Sequence, residues 1–331
     1  MEAPTKMMNL REELMSLEFG EPAVFGNLAL VPLLRPAPSS MEADYFLLEE
    51  AIGAGVARVT ELSAGGAVPE LKFQNTGDKP VLLLDGEELV GAKQNRVLNL
   101  TILAGALSEV TIPVSCVEAG RWTQKTAAFS AAEAVQYAEG RVHRVSQVTA
   151  EMRRTGGRRS DQHAIWANIA EKATRMKAES DTGAMRAIYE KHHDTIEHYS
   201  RAFRHWERQA GIVYCIGGRR WGLDLLDHPA PMARTFSKLV RGYALDAIDV
   251  EGAVAGQFEL SNAKSFLERV GMTPGFTQPA VGLGKDVRIA GNDVTGAALW
   301  AEERYVHVCA FSAAGDGGPE TRILRPSLRR R

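Results

Sequence analysis

Residues 81–122 have the sequence VLLLDGEELVGAKQNRVLNLTILAGALSEVTIPVSCVEAGRW. Four apolar residues lead directly into Asp85, and charged or amide side chains then interrupt apolar runs until the segment closes on Trp122. A surface loop has no need of apolar runs on both sides, and a pure core would not hold this many charges. We therefore expect a polar site held by strands, with the rest of the fold arranged around it.

The composition is that of a globular protein. The chain has 331 residues, of which 45% are hydrophobic and 24% charged, enough for one large or two ordinary domains. A formal net charge of −2 provides no general attraction to nucleic acid or to an anionic membrane. The N-terminus lacks the apolar core of a secretory signal, and no apolar run nears the roughly 20 residues that a spanning helix needs. These features predict a cytoplasmic protein without a membrane partner, and they disfavour nucleic acid.

The cysteines predict no covalent or metal framework. Cys116, Cys215 and Cys309 are widely spaced, and no CxxC pair occurs. Each lies among apolar residues, where a free thiol usually behaves as a small buried hydrophobe.

Changes of pattern along the chain predict an α+β fold. After residue 56, short runs rich in Val, Ile, Leu and Thr are separated by turn signals, which is typical of an antiparallel β-sandwich. Alanine-rich or amphipathic stretches then predict three helices, over 127–154, 160–177 and 182–209. Beyond residue 211 the strand pattern returns, with a hairpin turned at Gly217-Gly218 and a helix over 236–247.

These patterns divide the chain into five segments. They are an N-terminal helix (1–20), an antiparallel β-sandwich-like domain with the polar motif (21–125), a helical middle segment (126–210), a C-terminal α+β segment that packs back on it (211–313) and a basic flexible tail (314–331).

The acidic turn of the motif is the first candidate for chemistry. Asp85, Glu87 and Glu88 could bind a divalent cation, or act as an acid and a base if their environments differ. In a strand Glu87 and Glu88 point to opposite faces, so at most one of them shares a site with Asp85. The alternative is a solvated hairpin turn.

Lys93, Gln94, Asn95 and Arg96 form the second candidate. Their donors suit an anionic ligand, and the arginine fork suits phosphate or carboxylate in particular. An exposed strand edge that uses charge against aggregation is the alternative. Acids and donors so close in sequence can face one another across a turn, which an exposed edge does not require.

The end of the motif supplies the third candidate. Glu118, Arg121 and Trp122 could clamp a ligand, with the indole as a stacking surface and the guanidinium holding an anionic group. A core tryptophan covered by an arginine stem is an equally ordinary interpretation. Cys116 is not expected to be a nucleophile, because the nearby carboxylate raises the pKa of a thiol.

Two further clusters favour ordinary surface roles. His192, His193 and His198 lie near Asp194 on a predicted helix, but the HExxH pattern and a third ligand are missing, so a solvated face is expected. A basic cluster lies within and just after the predicted helix over 127–154 and could contact phosphates, although no aromatic residues are interleaved. Its members are Arg141, Arg144, Arg153, Arg154, Arg158 and Arg159.

The runs LLLDGEELVGAKQNR and IPVSCVEAGRW resemble the ARPP domain family, which is associated with ADP-ribosylglycohydrolases and rhodanese/phosphatase-superfamily proteins. The likeness continues through SDQHAIW at 160–166 and GLDLLD at 222–227. It implies a link to ADP-ribose or NAD-derived metabolism and carries no established catalytic residues.

The hypothesis is a protein that binds or processes an ADP-ribose-like ligand. Arg96 and Arg121 would hold phosphates, Trp122 would stack on the base, and Asp85, Glu87 or Glu88 would contact a ribose hydroxyl, a metal or a water. Two alternatives stay open. One is a homo-oligomeric assembly protein whose polar strip is a subunit interface, and the other is a divalent-metal hydrolase.

Overall fold

Three β-sheets and the helices packed on them make up the computed structural model, which describes residues 9–37, 39–63, 69–250 and 258–313. The tail expected at 314–331 and the beginning of the expected N-terminal helix lie outside these residues. The described helices are α1 (Leu10–Met15), α2 (Leu48–Gly53), α3 (Ala138–Thr155), α4 (Gln162–Arg175), α5 (Met185–Lys191), α6 (His193–Ala202), α7 (Pro229–Asp249) and α8 (Leu260–Met272).

The described strands follow the turn signals of the sequence. They are β1 (Glu18–Phe19), β2 (Ala23–Phe25), β3 (Leu28–Leu34), β4 (Phe46–Leu47), β5 (Ala57–Glu61), β6 (Glu70–Asn75), β7 (Val81–Leu83), β8 (Glu87–Gly91), β9 (Arg96–Leu98), β10 (Ile102–Ala104), β11 (Ser108–Cys116), β12 (Phe129–Val135), β13 (Gln209–Ile216), β14 (Arg220–Leu226), β15 (Gly275–Pro279), β16 (Lys285–Ala290), β17 (Val294–Ala301) and β18 (Arg304–Ser312).

The polar motif lies in a sandwich-like unit, as its pattern predicts. A six-stranded antiparallel sheet has the order β12-β8-β9-β11-β6-β5, and a three-stranded sheet has the order β10-β7-β4. Apolar side chains of both sheets share one core, to which Phe73, Val81, Leu89 and Ile112 contribute fully buried side chains. The motif thus supplies β7 to β11, and its polar residues occupy strand ends and turns.

A larger sheet joins the two ends of the described chain. Its order is β1-β3-β13-β14-β18-β17-β16-β15, with β2 paired to the other part of β3. Helix α7 packs on one face, and α1 and α8 contribute to a separate core with apolar residues of the same sheet. The C-terminal segment therefore packs back on the earlier chain, and the α+β class is confirmed.

The expected helix over 127–154 is wrong in its first part. Residues 129–135 form strand β12, which pairs with β8 through Phe129 opposite Gly91 and Val135 opposite Glu87. Both Phe129 and Val135 are buried. Packing on a neighbouring strand outweighs the helix preference of the alanines, since propensity is a weak prior in tertiary context.

The third predicted helix is divided in the structure. The expected helix over 182–209 breaks at His192, whose Nε2 is 2.9 Å from the carbonyl oxygen of Met176, and ends at Ala202. Strands β2 and β3 form a hairpin that turns at Gly26. Gly26 has a φ of +54°, and a Cβ there would lie 2.2 Å from the Tyr199 hydroxyl. Only glycine fits this turn.

Candidate functional site

The polar motif is mostly inside the protein. Ten of its side chains were candidates for a site, and only Lys93 and Trp122 have appreciable exposed surface. The other eight are buried: Asp85, Glu87, Glu88, Gln94, Asn95, Arg96, Glu118 and Arg121. Buried polar groups need partners, so their contacts separate the residues that hold the fold from those that could hold a ligand.

Asp85 is neutralised by two arginines of α3. Its carboxylate lies 2.6 Å from Arg144 Nη1 and 3.2 Å from Arg141 Nε. Burial raises the pKa of Asp85, but the two guanidinium groups outweigh burial and hold that pKa below its usual value. A side chain at Gly86, where φ is +78°, would lie 3.1 Å from atoms of both arginines.

Arg141 continues the network into the large sheet. Its two Nη atoms donate to both oxygens of Asp224 at 2.8 and 2.6 Å, and the Tyr243 hydroxyl donates to the same carboxylate. His307 lies between Asp224 and Thr101, with ring-nitrogen distances of 3.4 and 2.7 Å. Both charges of the Arg141–Asp224 pair are fully buried, which is the arrangement of a structural core.

Glu87 and Glu88 have different partners from Asp85. Lys238 of α7 donates to Glu87 at 2.9 Å and lies 3.1 Å from Glu49. Glu88 receives a hydrogen bond of 3.3 Å from Asn95 Nδ2, and burial raises its pKa to about 7. The three carboxylates proposed as catalytic residues therefore do not converge on one point.

Arg121 forms hydrogen bonds and an ion pair that connect loops of the motif to one another. It forms an ion pair with Glu118 at 2.6 Å and donates to the carbonyl oxygens of Gly91, Ala92 and Thr123. Its Nη2 also donates to Asn95 Oδ1 at 3.0 Å. All three guanidinium nitrogens of Arg121 are thus engaged within the chain, and none is left to hold the phosphate that the sequence suggested.

Arg96 differs from Arg121, the other arginine of the motif. It has no exposed surface, yet within the described residues it forms no ion pair with a carboxylate. Its Nη1 donates to Gln94 Oε1 at 3.0 Å and to the Asn95 carbonyl at 3.4 Å, while Nε and Nη2 have no hydrogen-bond partner. Burial lowers the pKa of this guanidinium.

Trp122 covers Arg96. The guanidinium carbon lies 5.7 Å from the centre of the indole, and Lys93 Nζ lies 5.3 Å from it. The indole is 46% exposed and lies in an irregular segment between β11 and β12. Two cations therefore flank one half-exposed aromatic ring, an arrangement that places positive charge beside a stacking surface.

Cys116 is a free thiol next to Gln94, the residue that also contacts Arg96. Its sulfur donates to Gln94 Oε1 at 3.1 Å, and burial raises its pKa. Cys215 and Cys309 are also free and buried. The expectation of three buried thiols is confirmed.

The other clusters separate into ordinary contacts. His193, Asp194 and His198 are exposed, as expected for a solvated face. The expected basic cluster is split, because Arg141 and Arg144 belong to the buried network while Arg154 forms an ion pair with Glu151. Arg153 lies over the Phe276 ring, and Arg158 and Arg159 line an open groove of about 440 Å³.

One acidic trio has the spacing of a cation site. Among the described residues, Glu139, Asp246 and Asp249 place carboxylate oxygens within 4.8 Å of one another. The ammonium group of Lys172 already lies 2.6 Å from Asp246 and 2.9 Å from Asp249, and it is fully buried. The lysine therefore supplies the positive charge that a metal ion would bring.

The network through Arg141, Arg144 and Asp224 was not predicted from the sequence, although one signal was present. Asp224 interrupts the apolar run of GLDLL, and a charge within a buried strand indicates a buried partner. Glu61 was also missed, and its Oε2 is buried without a hydrogen-bond partner.

A family model described as "ARG and Rhodanese-Phosphatase-superfamily-associated Protein domain" (ARPP-1) matches residues 16–311. The chain belongs to this family. No curated protein and no solved structure matches it significantly. Among the described residues, no helix is both long and apolar enough to cross a membrane.

Proposed function

We propose that this protein binds an anionic, nucleotide-like ligand such as ADP-ribose, with Arg96 as the residue that binds the anion. The observation that carries the proposal is the state of Arg96, a fully buried cation with two unpartnered nitrogens and no carboxylate partner among the described residues. A buried cation that is not paired with a carboxylate is costly. An anionic ligand would supply both the missing charge and the missing acceptors.

Arg288 shows why the missing carboxylate matters. It is also fully buried and also has two unpartnered nitrogens, but its Nη2 lies 2.9 Å from Asp286. Unpartnered nitrogens alone therefore occur in arginines that are already neutralised. Arg96 forms no ion pair with a carboxylate of the described residues, and it lies within the polar motif beside a half-exposed aromatic ring.

Trp122 suits the second half of such a ligand. Arg96 has no exposed surface, and the half-exposed indole of Trp122 lies over it in an irregular segment. The proposal therefore includes a movement of the indole that opens Arg96 to the ligand. A displaced indole can then stack on a nucleobase, as aromatic side chains commonly do. The name of the family, which associates it with ADP-ribosylglycohydrolases, makes ADP-ribose and NAD the first ligands to test.

The alternatives have less geometric support. A subunit interface made from the polar strip would have to rely on Lys93 and Trp122, because the other eight side chains are buried. A metal hydrolase needs carboxylates that share a site, but the three carboxylates have separate partners. Asp85 binds Arg141 and Arg144. Glu87 binds Lys238, and Glu88 binds Asn95.

Calorimetric titration tests the proposal. ADP-ribose, NAD and ADP are titrated into the wild-type protein, into Arg96→Met and into Arg288→Met as the matched buried-arginine control. We expect Arg96→Met to weaken binding by about tenfold or more, because a charge-assisted hydrogen bond is lost, and Arg288→Met to bind as the wild type does. Absence of heat from all three ligands, or equal losses in the two variants, would overturn the proposal.

Trp122 provides an independent measurement. Because its ring must move when a ligand enters, the intrinsic fluorescence of the wild type should change in a saturable manner on titration with ADP-ribose. Trp122→Phe keeps an aromatic ring but removes this indole, so the signal should be lost while calorimetric binding is largely retained. A saturable signal of unchanged size in Trp122→Phe would show that the ligand binds elsewhere.

A further inference from the structure

Glu61, which lies outside the polar motif, places a hydrogen-bond acceptor near Arg96. It is the last residue of β5, the edge strand of the six-stranded sheet. Its Oε1 lies 3.4 Å from the backbone nitrogen of Lys93, in the turn that leads to Arg96. Its Oε2 is buried and has no hydrogen-bond partner.

The carboxylate is near Arg96 but does not pair with it. Burial lowers the pKa of Arg96, and the negative charge of Glu61 opposes that effect in part. No nitrogen of Arg96 lies within 4.0 Å of a Glu61 oxygen, since no ion pair joins them. The two groups therefore leave two donors and one acceptor unpartnered in the same part of the protein.

A ligand that satisfies all three atoms must have two kinds of group. An anionic oxygen would accept from Nε and Nη2 of Arg96, and a hydroxyl or amino group would donate to Oε2 of Glu61. A simple anion satisfies the arginine alone and is repelled by the carboxylate. A carboxylate that accepts from a ribose hydroxyl is a common device in nucleotide sites.

We propose that Glu61 is a further ligand-binding residue, which accepts a hydrogen bond from a hydroxyl group of the same ligand whose anionic group Arg96 binds. The site then selects phosphorylated sugars and nucleotides over simple anions. This inference rests on the proposed function, because it requires an anion at Arg96.

Glu61→Gln separates the two kinds of ligand. The substitution keeps the shape of the side chain and removes its charge. ADP-ribose provides ribose hydroxyl groups and pyrophosphate has no sugar, so the two probes differ in the group that Glu61 would recognise. We expect Glu61→Gln to weaken ADP-ribose about tenfold or more, because a hydrogen bond to a charged group is lost, and to leave pyrophosphate unchanged or bound more tightly, because a repulsive charge is gone.

The outcomes distinguish a failure of the role proposed for Glu61 from a failure of the proposed function. If Glu61→Gln weakens both probes equally, Glu61 only supports the Lys93 turn and the inference is overturned. It is also overturned if neither affinity changes. If neither probe binds the wild type, the proposed function itself fails. Glu109→Gln, at an exposed glutamate on β11 that forms an ion pair with Lys72, controls for the loss of one charge from the same sheet.

Discussion

Arg141 binds Asp224 through two hydrogen bonds of 2.6 and 2.8 Å, and neither side chain has exposed surface. The same guanidinium donates through Nε to Asp85, which lies in the turn between β7 and β8. One side chain of α3 therefore joins the polar motif to the large sheet. The buried carboxylate of Asp85 thus takes part in a contact between two sheets.

Removal of Asp224 should destabilise the whole fold. Asp224→Asn leaves Arg141 with half of its negative partners, and the loss of one member of a buried ion pair costs on the order of 3–5 kcal/mol. We expect urea denaturation to show a decrease of that size in the free energy of unfolding. Asp194→Asn, at an exposed carboxylate, is the control and should change it by less than about 0.5 kcal/mol. Equal effects at the two positions would contradict the structural role of the network.

Substitution by methionine should lower the stability of the ligand-free protein at Arg121 but not at Arg96. Arg121→Met removes an ion pair and hydrogen bonds to three carbonyl groups, so we expect a loss of about 3–5 kcal/mol in the free energy of unfolding. Arg96→Met removes a buried cation without a carboxylate partner, so the ligand-free protein should stay within about 1 kcal/mol of the wild type or become more stable. Thermal unfolding of the two variants measures the difference. A large loss of stability in Arg96→Met would show that Arg96 is structural.

Glu88 should make the stability depend on pH near neutrality. Its pKa is raised from 4.5 to about 7, chiefly by burial. The native protein therefore holds this proton more tightly than the unfolded chain does, so the contribution is complete below pH 4.5 and is lost as the pH rises through 7. The loss is on the order of 3 kcal/mol.

Glu88→Gln tests this dependence because glutamine does not ionise. We expect urea titrations to show the variant more stable than the wild type at about pH 8, and the advantage to shrink steadily toward acid pH. Glu171→Gln, at an exposed position on helix α4, is the control. Parallel pH profiles for the wild type and Glu88→Gln would contradict the raised pKa.

The three thiols should be unreactive in the native protein. All are buried, and burial raises the pKa values of Cys116, Cys215 and Cys309. Because the thiolate is the reactive form, we expect no fast reaction with a disulfide reagent at pH 8 and three equivalents of reaction per chain in denaturant. Rapid labelling of one native cysteine would show that its surroundings open in solution.

Local patterns predicted the strands of the polar motif, the sandwich-like unit and the buried thiols. Apolar alternation and turn residues are local signals, and β7 to β11 follow them closely. The contacts of the charged residues could not be predicted in this way. Arg141 and Arg153 look alike in the sequence, but one lies between Asp85 and Asp224 while the other lies over Phe276. Such contacts join residues distant in the chain, and no local pattern reports them.

The same reason accounts for the errors. Residues 129–135 have the alanines of a helix, but strand β8 offers a partner that the sequence does not reveal. Arg121 and Arg96 were equal candidates for a ligand until their contacts separated them. Glu61 lies outside the motif in sequence, and the pairing of β5 with β6 in the same sheet brings it to the backbone of Lys93.

The pairing of β3 with β13 has a consequence for synthesis of the chain. Strand β3 is complete early in translation and pairs on one edge with β1 and β2. Its neighbour on the other edge, β13, is made only when residues 209–216 are translated. At roughly 5–20 residues per second, the ribosome needs on the order of ten to thirty seconds to deliver that neighbour. During that interval an apolar strand has an open edge, of the kind that invites association between chains. Newly made chains should therefore depend on chaperones for residues 28–34, and fragments that end before β13 should aggregate.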